Sequence, residues 1–157
     1  MTKYEKLFFD VDDTLIDFKA AEKVALPTVF KEYKMDFTEE VESYYKTLNR
    51  QLWTALEHGE ITREQLLERR FRETMQHFGQ KVDGREMDEQ YRSLLVNTVV
   101  LIDGAEQVLS QLSEKYELYI VTNGMIKTQH DRLKAANLTP YFKRIFVSEE
   151  TNYQKPQ

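Results

Sequence analysis

The sequence has 157 residues, and 22 Lys and Arg stand against 27 Asp and Glu, so the formal net charge is −5. This acidic balance argues against non-specific binding of nucleic acid or of an anionic membrane, because each needs a basic surface. The chain has no cysteine, which excludes disulfides, thiolate catalysis and cysteine metal sites. It shows neither an apolar leader nor an apolar run of about 20 residues, so a cytoplasmic globular protein is expected.

A short apolar run near the N-terminus, residues 7–9, leads directly into the acids Asp10, Asp12 and Asp13. Both faces of this run are apolar, which predicts a buried strand of a parallel sheet. Asp10 then lies at the carboxyl end of the strand, where open α/β sheets bind their ligands. A carboxylate beside an apolar strand is costly unless a cation or a donor compensates it. The acids therefore indicate a cation site, and the alternative is a solvated acidic turn.

An EF-hand calcium loop also begins with Asp-x-Asp, but two later positions exclude it. Leu15 stands where that loop requires glycine, and Ala21 stands where it requires a bidentate glutamate. The acids are therefore expected to serve a different kind of cation chemistry.

Residues 18–100 show helical periodicity and predict four consecutive helices after the first strand. Thr62 and Gln65 form a capping-box pattern at the start of the third helix, and Pro27 is expected to kink or divide the first. Such an inserted bundle would cover a ligand crevice and exclude water. The alternative is that it only enlarges the core or forms a dimer contact. The expected extents are 19–34, 36 or 38 to about 58, 62–79 and 83–96.

The remaining residues return to α/β order. Asp103, with Glu106 three residues later, predicts a capped helix start. Two apolar runs predict further buried strands, and a periodic stretch between them predicts a helix. These segments are strands over 118–121 and 145–147, a helix over 126–136 and a polar loop over 148–157.

A polar turn, Thr122-Asn123-Gly124, directly follows the second predicted strand. Backbone N–H groups in such a turn, close to a helix N-terminus, favour an anion. The predicted fold class is therefore α/β, with a parallel sheet that carries a helical insertion and binds its ligand at the strand ends.

Three patterns occur in chain order: Asp10-x-Asp12-x-Thr14, Thr122-Asn123-Gly124 and Lys155-Pro156. In this order they resemble motifs I, II and III of the haloacid dehalogenase-like (HAD) phosphatases. The resemblance implies a Rossmann-like α/β core formed by residues 1–17 and 101–157, with residues 18–100 as an inserted helical cap.

The resemblance also implies a role for each motif residue. Asp10 is then the nucleophile that forms an aspartyl-phosphate, and Asp12 is the general acid/base. Thr122 holds the phosphoryl group through its hydroxyl, with help from the backbone N–H groups of Asn123 and Gly124. Lys155 places a positive charge beside the phosphoryl oxygens and the nucleophile. Division of the reaction into two steps suits a phosphate monoester, whose uncatalysed hydrolysis is extremely slow.

Further stretches resemble the 5′-nucleotidase branch of the superfamily, which implies a Mg²⁺-dependent phosphatase of nucleotide 5′-monophosphates. By this resemblance Trp53 and Phe71 would stack a nucleobase, and Arg69 or Arg70 would contact a phosphate. For each of these residues, packing or a solvated charge within the cap is the favoured interpretation. The stretches are 8–15, 52–53, 59–62, 70–71, 120–124 and 148–150.

The fourth motif of the superfamily, Gly-Asp followed by another Asp, does not occur before Gln157. By resemblance, Mg²⁺ would be held by the Asp10 carboxylate and the Asp12 backbone carbonyl, which are few protein ligands for this ion. The sequence is therefore expected to be a fragment of a longer protein, weakly active or inactive by itself.

Three other functions stay open at this point. A phosphomutase differs mainly in where the phosphoryl group goes next. A haloacid dehalogenase uses the same nucleophile, but it has no leaving oxygen for Asp12 to protonate. The non-enzymatic alternative is an inactive interaction module that uses the helical bundle as its contact surface.

Overall fold

The structure is a computed structural model that describes residues 3–155. Within this range it confirms the α/β class and the four helices that follow the first strand. The third strand begins earlier than predicted, and a short helix occupies part of the predicted loop after it. The elements are β1 (Lys6–Phe9), α1 (Phe18–Glu32), α2 (Glu39–Glu57), α3 (Arg63–His77), α4 (Gly84–Asn97), α5 (Ala105–Ser113), β2 (Glu117–Thr122), α6 (Ile126–Ala135), a 3₁₀ turn (Thr139–Tyr141), β3 (Phe142–Val147) and α7 (Ser148–Thr151).

The described strands form a parallel sheet in the order β1-β2-β3, so β2 lies in the middle. Phe9 pairs with Ile120, and Thr122 pairs with Val147. Because parallel strands present their carboxyl ends at one edge, the residues that follow them are brought together there. The predicted parallel sheet is therefore confirmed.

The described residues form two compact units. One runs from the first described residues to Lys23 and resumes at Leu95, and the other is Val24–Leu94. The first unit contains the sheet, and apolar side chains from the loop after β1, from α5, from β2 and from α6 are buried on it. Their removal from water is the main favourable term that holds this unit together. They include Val11, Leu15, Ile16, Leu109, Leu118, Ile120 and Leu133.

The second unit is helical and packs around buried aromatic rings. The centroid of the Phe71 ring lies 5.9 Å from that of Phe30, 5.1 Å from that of Tyr45 and 5.2 Å from that of Tyr91. Pro27 lies inside α1, which is a single helix and is not divided as the sequence allowed. The role of this unit as a cover for a crevice stays a prediction. Within residues 3–155, no helix combines the length and the apolar character that a membrane span requires.

Helix starts agree with the sequence at Thr62 and differ from it at Asp103. Thr62 Oγ accepts from the Gln65 N–H and Gln65 Oε1 accepts from the Thr62 N–H, so the predicted capping box is confirmed. The N-cap of α5, in contrast, is Gly104, whose φ of 80° is left-handed. The assignment of Asp103 as the cap was wrong because the turn at this glycine moves the helix start by one residue.

Candidate active site

Asp10 follows β1 at the edge where the strands end, and the turn after it is closed by main-chain hydrogen bonds. The N–H groups of Leu15 and Ile16 both donate to the Val11 carbonyl, at 2.9 and 3.0 Å. These three side chains are also buried in the core of the first unit. The hydrogen bonds and the buried side chains together anchor this turn, which holds Asp10 and Asp12 in defined positions.

Lys155 Nζ lies 2.8 Å from Asp10 Oδ1, so the predicted cation contacts the predicted nucleophile. The two side chains are 40% and 43% exposed, which leaves both accessible to a ligand. Asn123 holds the Lys155 main chain, because its Nδ2 donates to the Lys155 carbonyl at 3.0 Å and its Oδ1 accepts from the Lys155 N–H at 2.9 Å. The sequence assigned only a backbone role to Asn123. Pro156, the second residue of the predicted third motif, lies outside the described residues.

Thr122 is the last residue of β2 and is 2% exposed. Its Oγ accepts a hydrogen bond of 2.7 Å from Nε2 of Gln129. The same nitrogen lies 3.2 Å from Oδ2 of Asp12. Gln129 therefore links the predicted phosphoryl-binding hydroxyl to the predicted acid/base, which brings the ends of two neighbouring strands into one site.

Arg132 is the charged partner of Asp12. Its Nη1 lies 2.6 Å from Asp12 Oδ1 and 2.9 Å from Gln129 Oε1. The Arg132 side chain is 2% exposed, whereas that of Asp12 is 34% exposed. A cation buried to this extent needs a counter-ion and hydrogen-bond acceptors, and Asp12 and Gln129 supply them for Nη1, whereas the buried Nε and Nη2 have no hydrogen-bond partner among the described residues. The Asp12 carboxylate is thus held from the side of α6.

Gln129 and Arg132 were not predicted from the sequence as site residues. Both are buried on α6 beside Leu133, and their spacing of three places them on one face of that helix. Two polar residues on a buried helix face normally have hydrogen-bond partners elsewhere in the fold, and this was the signal available in the sequence. The pattern does not identify those partners.

Gly124 lies against the Gln129 side chain. A Cβ at Gly124 would lie 2.8 Å from Cγ of Gln129, closer than real Cβ atoms approach a neighbour, and 3.0 Å from its Nε2. Glycine is therefore needed here so that the turn can approach Gln129. The contact of the Gly124 backbone N–H with an anion stays a prediction.

The helical unit contradicts two of the predicted substrate contacts. Phe71 is fully buried among rings of its own unit, so it is a packing residue and cannot stack a nucleobase. Arg70 is buried as well, and its Nη2 lies 2.5 Å from Asp88 Oδ1, so its charge is used inside the unit and does not contact a phosphate. The contacts of Trp53 and Arg69 with substrate stay predictions.

The predicted Mg²⁺ site has few protein ligands. In the part of the chain that the structure describes, no cluster of three or more His, Cys, Asp or Glu side chains is placed to hold a metal ion. The Asp12 carboxylate is bound to Arg132, so it is not directed to a metal ion. The Asp10 carboxylate is an oxygen donor of the kind that Mg²⁺ prefers. These residues fit an ion whose other ligands are phosphate and water oxygens.

Residues 7–157 match the sequence model of the haloacid dehalogenase-like hydrolases. The HAD-hydrolase YfnB of Bacillus subtilis is 44% identical over 156 residues, which are 99% of this chain and 66% of YfnB. The pyrimidine 5′-nucleotidase PynA of Streptococcus pneumoniae is 39% identical over 154 residues, which are 98% of this chain and 65% of PynA. The chain therefore spans about two thirds of the length of these curated relatives.

Solved structures share the fold. A crystal structure of YfnB bound to magnesium superimposes with a TM-score of 0.93 at 43% identity, over 99% of this chain and 70% of that chain. The L-2-haloacid dehalogenase of Xanthobacter autotrophicus superimposes with a TM-score of 0.71 at 17% identity, over 98% of this chain and 60% of that chain. An identity this low shows a common fold and carries no statement about chemistry.

Proposed function

Because the chain belongs to the haloacid dehalogenase-like hydrolases, we propose that the protein hydrolyses phosphate monoesters and that its substrates are nucleotide 5′-monophosphates. The observation that supports the reaction is the contact of Lys155 with Asp10 at 2.8 Å, at the same sheet edge as Asp12 and Thr122. The likeness to PynA, a pyrimidine 5′-nucleotidase, supports the substrate class. The proposal concerns the whole protein, since this chain spans about two thirds of the length of its relatives.

The residues at the sheet edge suit a reaction in two steps. Asp10 attacks the phosphorus, the bond to the ester oxygen breaks, and an aspartyl-phosphate forms. Asp12, as the general acid/base, gives a proton to the leaving oxygen and takes one from the water that hydrolyses the intermediate to phosphate and free Asp10. Lys155 stabilises the negative charge of the phosphoryl oxygens. The Thr122 hydroxyl holds one of those oxygens.

Mg²⁺, when bound, would neutralise the charge between the phosphate and the nucleophile. The residues that would hold it are Asp10, through its carboxylate, and Asp12, through its main-chain carbonyl. The magnesium in the YfnB structure supports this choice of ion, because YfnB is 43% identical to this chain. A dehalogenase is the less favoured alternative, because it would give Asp12 no leaving oxygen to protonate.

The test is the hydrolysis of p-nitrophenyl phosphate and of a pyrimidine 5′-monophosphate, with Mg²⁺ and with EDTA, on this chain and on any longer form of the protein. Asp10→Asn removes the nucleophile with little change of shape, and we expect it to lower kcat by about 10³-fold or more. Asp103→Asn makes the same substitution at an exposed residue of the same unit and should leave kcat unchanged. Activity that survives Asp10→Asn, or an equal loss in both variants, contradicts the assignment.

A further inference from the structure

Gln129 and Arg132 have no part in the steps described above, yet both are buried beside the residues that do. Each is 2% exposed, and their hydrogen bonds extend to Asp12 and Thr122. We infer that Gln129 and Arg132 are positioning residues, which turn the hydroxyl hydrogen of Thr122 toward the phosphoryl group. This inference rests on the proposed function and adds two residues of α6 to it.

Arg132 fixes the orientation of the Gln129 amide. Arginine nitrogens can only donate hydrogen bonds. Because Nη1 of Arg132 lies 2.9 Å from Gln129, the amide oxygen must face the arginine and the NH₂ group must face away from it. The reversed amide would place two donors against each other. Arg132 therefore decides which end of Gln129 meets Thr122.

The oriented Gln129 amide in turn sets the direction of the Thr122 hydroxyl hydrogen. The Gln129 NH₂ group has two hydrogens, and it has acceptors at Thr122 Oγ, 2.7 Å away, and at Asp12 Oδ2, 3.2 Å away. Because Thr122 Oγ accepts from Gln129, the hydrogen of the hydroxyl must point elsewhere. That hydrogen is then free to be donated to a phosphoryl oxygen. A hydrogen bond to an ionised acceptor is about twice as strong as one between neutral groups. The direction of the Thr122 hydroxyl hydrogen therefore affects the affinity for phosphate.

Asp12 belongs to the same hydrogen-bond network as Gln129 and Arg132. A single nitrogen, Nη1 of Arg132, contacts both Asp12 Oδ1 and Gln129 Oε1. A lysine ammonium has three donors and keeps a positive charge beside Asp12 and Gln129, whereas methionine can donate to neither. Arg132→Lys should therefore preserve the arrangement that Arg132→Met removes.

The affinity for orthophosphate, measured by isothermal titration calorimetry with Mg²⁺ present, reports the position of the hydroxyl without turnover. Gln129→Met keeps the length of the side chain and removes the amide, and we expect it to raise the Kd for orthophosphate about 10-fold. Arg132→Met should behave likewise, and Arg132→Lys should restore most of the affinity. Gln107→Met makes the same change on the exposed surface of α5 and should leave the Kd unchanged.

A double-mutant cycle with Thr122→Val separates positioning from packing. If Gln129 acts through the Thr122 hydroxyl, Gln129→Met should add little to the Kd in the Thr122→Val background. Should Gln129→Met fold poorly, Gln129→Glu provides a second variant of nearly the same shape. Its carboxylate accepts the Thr122 hydrogen and turns it away from the phosphate, so we expect the Kd to rise again.

Two results overturn the inference and leave the proposed function standing. One is an equal loss of affinity from Gln129→Met with and without the Thr122 hydroxyl. The other is a lower melting temperature of Gln129→Met with an unchanged Kd. If Thr122→Val itself leaves the Kd for orthophosphate unchanged, the proposed phosphoryl site is wrong, and the inference is wrong with it.

Discussion

The residue that best shows how a charge is used inside the helical unit is Arg70. It pairs with Asp88 at 2.5 Å, and the two side chains are 8% and 0% exposed. Arg92 donates a further hydrogen bond of 2.7 Å to Asp88. Burial acts to lower the pKa of Arg70, but the charge of Asp88, the neighbouring Tyr45 and Tyr91 and the hydrogen bond to Asp88 together hold that pKa above its ordinary value. The pair is therefore a structural element of this unit, although the sequence suggested a phosphate contact.

We expect Asp88→Asn to lower the free energy of unfolding by about 3–5 kcal/mol, because it leaves the Arg70 charge buried without its counter-ion. Glu73→Gln is the matched control, because it breaks the ion pair of Glu73 with Arg69 on α3. The Arg69 side chain is 35% exposed and that of Glu73 is 26% exposed. That loss should be below about 1 kcal/mol. Urea unfolding followed by circular dichroism measures both variants, and similar losses would show that burial of the pair does not matter.

At the scale of the element, helix ends show where a local pattern suffices. The capping box at Thr62 uses two residues that are three apart, so all of its atoms are specified by a short stretch. The start of α5 depends instead on the left-handed turn at Gly104. A polar side chain before a predicted helix therefore identifies the N-cap only when that residue itself has the extended backbone of a cap, as Thr62 does.

The capping box leads to a prediction for α3. Thr62→Ala should lower the free energy of unfolding by about 1 kcal/mol, because the Gln65 N–H loses its acceptor at the helix end. Thr54→Ala makes the same change at an exposed position inside α2 and should be neutral or slightly stabilising, since alanine favours a helix interior. Thermal unfolding of both variants measures the difference. An equally harmless Thr62→Ala would mean that the box adds nothing.

At the scale of the whole molecule, the predicted catalytic residues and the helical insertion belong to different compact units. Asp10, Asp12, Thr122 and Lys155 all lie in the unit that contains the sheet. The helical unit has a core of its own, in which the Phe71 ring contacts rings from α1, α2 and α4. A unit with its own buried core is expected to fold without the rest of the chain.

A fragment of residues 18–97, which contains α1 to α4 complete, should therefore fold alone. We expect strong helical circular dichroism and a cooperative thermal transition, because its aromatic core is internal to the fragment. Phe71→Ala in the same fragment should lose about 3–5 kcal/mol and with it the cooperative transition. A wild-type fragment without a cooperative transition would contradict the independence of this unit.

Several features of the first unit were predictable because they depend on short stretches. Apolar runs bounded by acids or by a polar turn specify where β1 and β2 end, and parallel strands bring those ends to one edge. The prediction that Lys155 contacts Asp10 had a different origin, because it came from the resemblance to the HAD phosphatases. The structure then showed it as a 2.8 Å ion pair.

The sequence by itself determined the order of strands and helices, the capped start of α3 and the polar residues at the strand ends, because each depends on neighbours in the chain. Only the tertiary structure decided which side chains meet. Asp12 is 117 residues from Gln129 and 120 residues from Arg132, and the periodicity of α6 shows a buried face without naming what lies against it. For the same reason the sequence left Phe71 open between packing and a substrate contact. A phenylalanine in a core and one in a binding site look the same in a sequence, and only the packing around the ring distinguishes them.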